Sequence, residues 1–380
     1  MRGRREFWSK ARAAVSALAL LVAGAVMAQD PPAPAPAPDA AKGAAPNPKD
    51  KDANPKGKSA RKKGVRLPRR EPAKGIAKVG DPLNAPIPVD AAGKPLPLGS
   101  YHYKFKVAVN NADPLAMTYY PSKLAETAAA VVLVHERERS GKDFTEEEIV
   151  ELKNLTLAEE LQKLGYAVLV PDLRGHGGNN RRAVPKAEWP SVPADVQVAY
   201  YCLVDRHNRG ELNLAKLGVV ALGEGANVAA AWAAGGGGVS SEGRTSDLGA
   251  LVAISPMVDA QSQGVKAGPA LAALAARVPI DLLYGERDAA SIELVASVKA
   301  ILKRYRSNQV EPFPSALHGY RLLRLEPNLT AAITKFLDGT IKAKADEWEG
   351  RYLLNPLTYT ESKALPNPPR VDPATKKAAR

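Results

Sequence analysis

KLGVVALGEGANVA, residues 216–229, packs a strand, a reversal and a helix into one short stretch. Leu217 to Leu222 is a brief apolar run of the kind a parallel strand buried on both faces requires. Asn227 to Ala234 continues as an alanine-rich helix. Between them stand only Gly223, Glu224 and Gly225, so the chain turns back with almost no loop and the strand and helix backbones must approach closely.

The same alternation extends outward in both directions. Tyr101 to Val109 and Leu115 to Tyr120 alternate like antiparallel strands around the turn cluster Asn110 to Pro114. Val131 to Val134, Ala167 to Val170, Gly218 to Leu222, Leu251 to Ile254 and Ile280 to Tyr284 are short apolar runs that read as buried parallel strands. Helical stretches fit between them at Glu146–Leu164, Ala194–Asp205, Asn227–Ala234, Pro269–Arg277, Ile292–Arg304 and Leu329–Phe336, and Gly235 to Gly238 ends the helix after the turn. The pattern predicts an α/β fold: one doubly wound, mostly parallel sheet of about eight strands with helices on both faces. Arg181 to Pro193 is the sole sizeable insertion after the fourth strand, too small for a bulky lid domain.

Four further motifs carry chemistry. They are AAAVVLVHERERSGKDF (128–144), LQKLGYAVLVPDLRGHGGN (161–179), VPIDLLYGERDAAS (278–291) and SALHGY (315–320). Together with residues 216–229 they resemble the α/β-hydrolase superfamily, in particular its dienelactone-hydrolase and esterase relatives, over roughly residues 100–340. The resemblance makes the turn after Leu222 a nucleophile elbow, which needs small residues two positions to either side of the nucleophile. Gly223 meets that demand with Ala221 and Gly225; Glu224 would be flanked by Leu222 and Ala226, and leucine would clash. Glycine therefore stands where the attacking serine is expected. The resemblance places the triad acid at Asp288 and the base at His318, in the chain order of this superfamily. It places Glu136, Arg137 and Glu224 around the cleft, with the Glu224 N–H as an oxyanion donor. Glu136 sits where dienelactone-hydrolase relatives carry a glutamate, and as a structural residue it would pair with Arg137 or Arg139. Arg174 and His176 read as organisers of their loop.

Gly223 offers no nucleophile, and losing a serine-type nucleophile costs about a million-fold in turnover. One reading is an exported pseudo-hydrolase whose cleft binds or scaffolds. The alternative is an active hydrolase of ester, lactone or peptide bonds that uses water activated by the Asp288–His318 pair. A third is an envelope protein led by a polymer-binding tail. No metal-ligand spacing, phosphate loop or dinucleotide fingerprint occurs, so no metal or cofactor is assigned.

Residues 1–28 have the basic start, short apolar core and small-residue end of a cleavable export signal, giving a periplasmic or extracellular expectation. The apolar run, Ala13 to Val26, is shorter than the ~20 residues of a spanning helix. Residues 29–97, rich in Pro, Ala and Lys, read as a disordered linker. Residues 98–342 read as the hydrolase-like domain. Residues 343–380 form an extension, with Trp348, Tyr352, Leu353, Leu354 and Tyr359 available for packing, and a polar tail. Residues 1–80 carry 18 Lys and Arg against 6 Asp and Glu, so that +12 of the net +13 lies ahead of the domain. Such a tail would adhere weakly to anionic envelope polymers. Its residues 29–80 carry no interleaved aromatics for specific nucleic-acid binding. The cleft's own partner would be a small molecule or peptide. The single cysteine, Cys202, rules out an internal disulfide framework and reads as a buried thiol.

Overall fold

The computed structural model describes residues 85–367 apart from 111, 154, 180–183, 239–245, 259–263 and 352–356. Residues 1–84, which include the expected export signal and most of the expected linker, and residues 368–380 lie outside the described residues. Within residues 85–97, the Asp90 carboxylate accepts the N–H groups of Ala92 and Lys94, and Val89 bridges Pro95.

The strands are β1 Tyr101–Val109, β2 Leu115–Tyr120, β3 Ala129–Val134, β4 Ala167–Pro171, β5 Asn213–Leu222, β6 Leu248–Ile254, β7 Ile280–Gly285, β8 Gln309–Phe313 and β9 Leu357–Pro366. They form one mixed sheet in the order β8-β7-β6-β5-β3-β4-β2-β1-β9. From β4 through β3, β5, β6 and β7 to β8 every pairing is parallel; β2 joins β4, and β1 joins β2 and β9, antiparallel. The central strands are buried on both faces, which is why they read as unbroken apolar runs. Val132, Val134, Val219 and Ala221 point into one core, and Val131, Leu133, Val220 and Leu222 into the other.

Among the described residues, seven helices longer than a single turn cover the sheet: α1 Leu157–Lys163, α2 Pro193–Asn208, α3 Glu224–Ala234, α4 Ala267–Leu274, α5 Ile292–Leu302, α6 Gly319–Leu325 and α7 Leu329–Leu337. Helices α2 to α5 pack on one face, and α1, α6 and α7 on the other. The stretch 146–164, expected as one helix, is broken. A 3-10 turn at Val150–Leu152 ends on left-handed Lys153 (φ 51°), and α1 begins afresh from a capping box between Thr156 and Glu159.

Among the described residues the sheet has nine strands where about eight were expected. Two lack an apolar run because each lies at an edge. Strand β8, QVEPF, is largely exposed and tolerates Pro312 there. Strand β9 comes from the C-terminal extension, and its pairing with β1 slips in register between Lys104 and Lys106, near Glu361 at φ 56°. Ahead of β9 the chain is tied to α2 and β5. Asn213 Nδ2 donates to Asp346 O at 3.0 Å and Trp348 Nε1 to His207 O at 3.1 Å. Arg351 and Asn208 exchange two 2.8 Å bonds, and Arg351 forms a buried 3.0 Å ion pair with Asp247.

Candidate active site

Three chain reversals meet at the carboxyl ends of β5, β7 and β8. Gly223 forms the reversal from β5 into α3, with φ 50° and ψ −127°. This conformation costs a residue with a Cβ but not glycine. Close approach explains the next glycine: a Cβ on Gly225 would collide with the His135 carbonyl oxygen. Ala221, at the opposite flank, is fully buried.

Asp288 follows β7 and His318 follows β8, immediately ahead of α6. The His318 Nδ1–H donates to Asp288 Oδ2 at 2.8 Å. The same oxygen accepts the Ser291 hydroxyl at 2.7 Å, and Oδ1 accepts the Ala290 N–H at 3.1 Å. Burial works to raise the Asp288 pKa, but the bonds from His318 and Ser291 outweigh it and leave the carboxyl below its ordinary value. Burial works to lower the His318 pKa; the bond to Asp288 and its charge, joined by Glu136 and Glu224, leave it raised. The ring therefore has a strengthened proton affinity. Ser291 escaped the sequence reading, although a serine just ahead of the helical run 292–304 is a helix-start signal.

Gly223 faces His318: a Cβ built on it falls 3.3 Å from His318 Nε2. The same point is 2.7 Å from Glu136 Oε2. Burial pushes the Glu136 carboxyl up to about 7, against the lowering charge of His318. Glu224, the first residue of α3, instead reaches Arg137, whose Nε lies 3.1 Å from its Oε1. Arg139 bonds Asp143 at 2.6 Å and stands 3.8 Å from Glu136.

The surrounding loops are fixed by buried polar groups. His135, driven down to about 3 by burial, is neutral; it donates from Nδ1 to the Glu136 carbonyl and accepts the Leu173 N–H at Nε2. The β3 and β4 loops are thereby joined. Asp172 accepts the N–H groups of Gly141 and Gly178, while Arg174 is held by Asp195 and His176 by the Arg174 carbonyl. Beside this floor a cavity of about 330 Å³ is lined by Arg137, Arg139, His176, Val184 and Trp189. Among the described residues no His, Cys, Asp and Glu group is arranged to hold a metal ion.

A parallel sheet preceded by antiparallel β1 and β2, a crossover from β3 through β4 to β5, and a hydrogen-bonded carboxylate and imidazole after the last two parallel strands, close to the β5–α3 turn, define the architecture. The chain has the α/β-hydrolase fold. No protein-family profile matches it, and no curated protein is similar to it in sequence. Solved structures with this fold resemble it at low identity. An esterase of Pyrococcus furiosus is 16% identical, with a TM-score of 0.49, over 68% of this chain and 98% of that one. A dienelactone hydrolase from Anabaena variabilis is 19% identical, with a TM-score of 0.41, over 63% and 96%. An acylaminoacyl peptidase of Pyrococcus horikoshii is 12% identical, with a TM-score of 0.48, over 66% and 43%.

Proposed function

We propose that this chain is an exported pseudo-hydrolase: Gly223 occupies the nucleophile position, and the cleft binds a small molecule or peptide without cleaving it. The observation that carries this reading is the placement of Gly223, at a positive-φ strand-to-helix turn and facing the free side of a His318 ring already bonded to Asp288. Acid and base stand in order, and the elbow residue itself supplies no hydroxyl or thiol to attack a carbonyl. Export rests on residues 1–28 alone, and adhesion of the basic tail to anionic polymers on residues 29–80.

The test is turnover of activated esters by the full chain beside Gly223→Ser combined with Glu136→Ala, since a serine Cβ would lie 2.7 Å from Glu136 Oε2. The natural chain is expected to be inert. The double variant is expected to gain turnover that disappears with His318→Ala, because the other groups are already positioned. The intact 2.8 Å Asp288–His318 bond favours one competing reading, direct activation of water by His318. Ester hydrolysis by the natural chain that is lost with His318→Ala would establish that reading and end the pseudoenzyme one.

A further inference from the structure

The elbow is filled by the chain's own carboxylate. Gly223 and Gly319 both have φ of 50° and both face Glu136. A Cβ on Gly223 would stand 2.7 Å from Glu136 Oε2, and one on Gly319 would collide with the same atom. Side chains at these positions would therefore evict the carboxylate; the two glycines form a notch and Glu136 fills it. In the notch Oε2 accepts the Tyr320 N–H at 3.4 Å, and Oε1 lies 3.8 Å from Arg139 Nε. His318 Nε2 converges on the same place and is buried without a hydrogen-bond partner. A backbone N–H, a guanidinium and an imidazole with raised proton affinity surround one small volume. All three favour a planar anion, opposing the burial that pushes the Glu136 carboxyl up to about 7.

We propose that the elbow is a carboxylate-binding site held closed by Glu136, its resident ligand, and that a small external carboxylate can take the same place. The proposal rests on the reading of Gly223 as the vacated nucleophile position and adds the chemistry of the ligand and a built-in competitor for it. Glu136 and Gly223 then form a coupled pair. Loss of the side chain at 223 makes the room that the glutamate occupies.

The experiment is modification of the full chain by diethyl pyrocarbonate, with each of the five histidines followed separately by peptide mass. His176 is half-buried and reports reagent access; His135 is fully buried and reports unfolding. In the natural protein His318 is expected to stay protected while His176 reacts. Glu136→Ala is expected to raise the His318 rate about tenfold or more with His135 still silent, as removal of a local cover does. Added acetate is expected to restore protection in that variant, and Glu136→Gln, which keeps the shape, to retain it. Should Glu136→Ala also expose His135, Glu136→Asp withdraws the carboxylate by one methylene and gives the same readout. A natural His318 as reactive as His176, a variant as protected as the natural chain, or an acetate-insensitive variant would each overturn the proposal. None of these outcomes touches the ester test, which alone decides whether the chain turns over substrate.

Discussion

At position 223 backbone conformation and side-chain space make separate demands. The dihedral angles, φ 50° and ψ −127°, cost a residue bearing a Cβ about 1–3 kcal/mol, and the contact with Glu136 adds to that. Gly223→Ala is therefore expected to lower the unfolding free energy by at least that amount in denaturant titrations. Glu136→Ala in the same chain should return the contact part but not the backbone part, a non-additivity that a double-mutant cycle measures. Strictly additive effects would mean that the two residues do not share the space. The strand, tight reversal and helix around Gly223 could be read from a local motif, because the spacing of small residues at so close a turn is a steric requirement written within five positions. The carboxylate of Glu136 in the notch could not. Glu136 and Gly319 are far apart in sequence, and only the packed sheet brings them into contact.

Among the elements, β7 carries an unusual load. Asp281 lies within it, fully buried, with neither carboxylate oxygen hydrogen-bonded, and burial pushes its pKa from an ordinary 3.8 up to about 8, with Glu311 adding to the rise. A folded-state pKa above the unfolded one means that the native protein holds the extra proton between 3.8 and about 8. Stability at this site is therefore fully present below that window and is lost as pH rises through it. Asp281→Asn removes the titration, so its unfolding free energy relative to the natural chain should grow steadily from pH 5 to pH 8 in parallel denaturant series. A difference independent of pH would show that Asp281 is not protonated in the fold. The sequence reading took Ile280 to Tyr284 as a strand in spite of this acid, since the apolar run around it outweighs one polar residue. It missed β8 and β9, whose exposed edge positions place no demand for an apolar pattern.

On the scale of the whole molecule, the C-terminal extension supplies one edge of the sheet. Arg351 and Asp247 are each less than a tenth exposed, and Tyr200 also donates to the Asp247 carboxylate. Removing one partner of such a buried pair strands the other, so Arg351→Ala is expected to cost about 3 kcal/mol in unfolding experiments. A loss below about 1 kcal/mol, the worth of an exposed pair, would mean that the extension is not a tightly held part of the fold. The sequence by itself determined the alternation of strands and helices, the doubly wound class and the tight turn from β5 into α3. Each of those is a local pattern of burial, turn chemistry or spacing. Only the tertiary structure decided that residues 357–366 complete the sheet beside β1, that Arg137 answers Glu224, and that Glu136 rather than solvent fills the place beside Gly223. Those contacts join segments more than eighty residues apart, and their geometry depends on how two helical layers settle on one sheet, which no local pattern records.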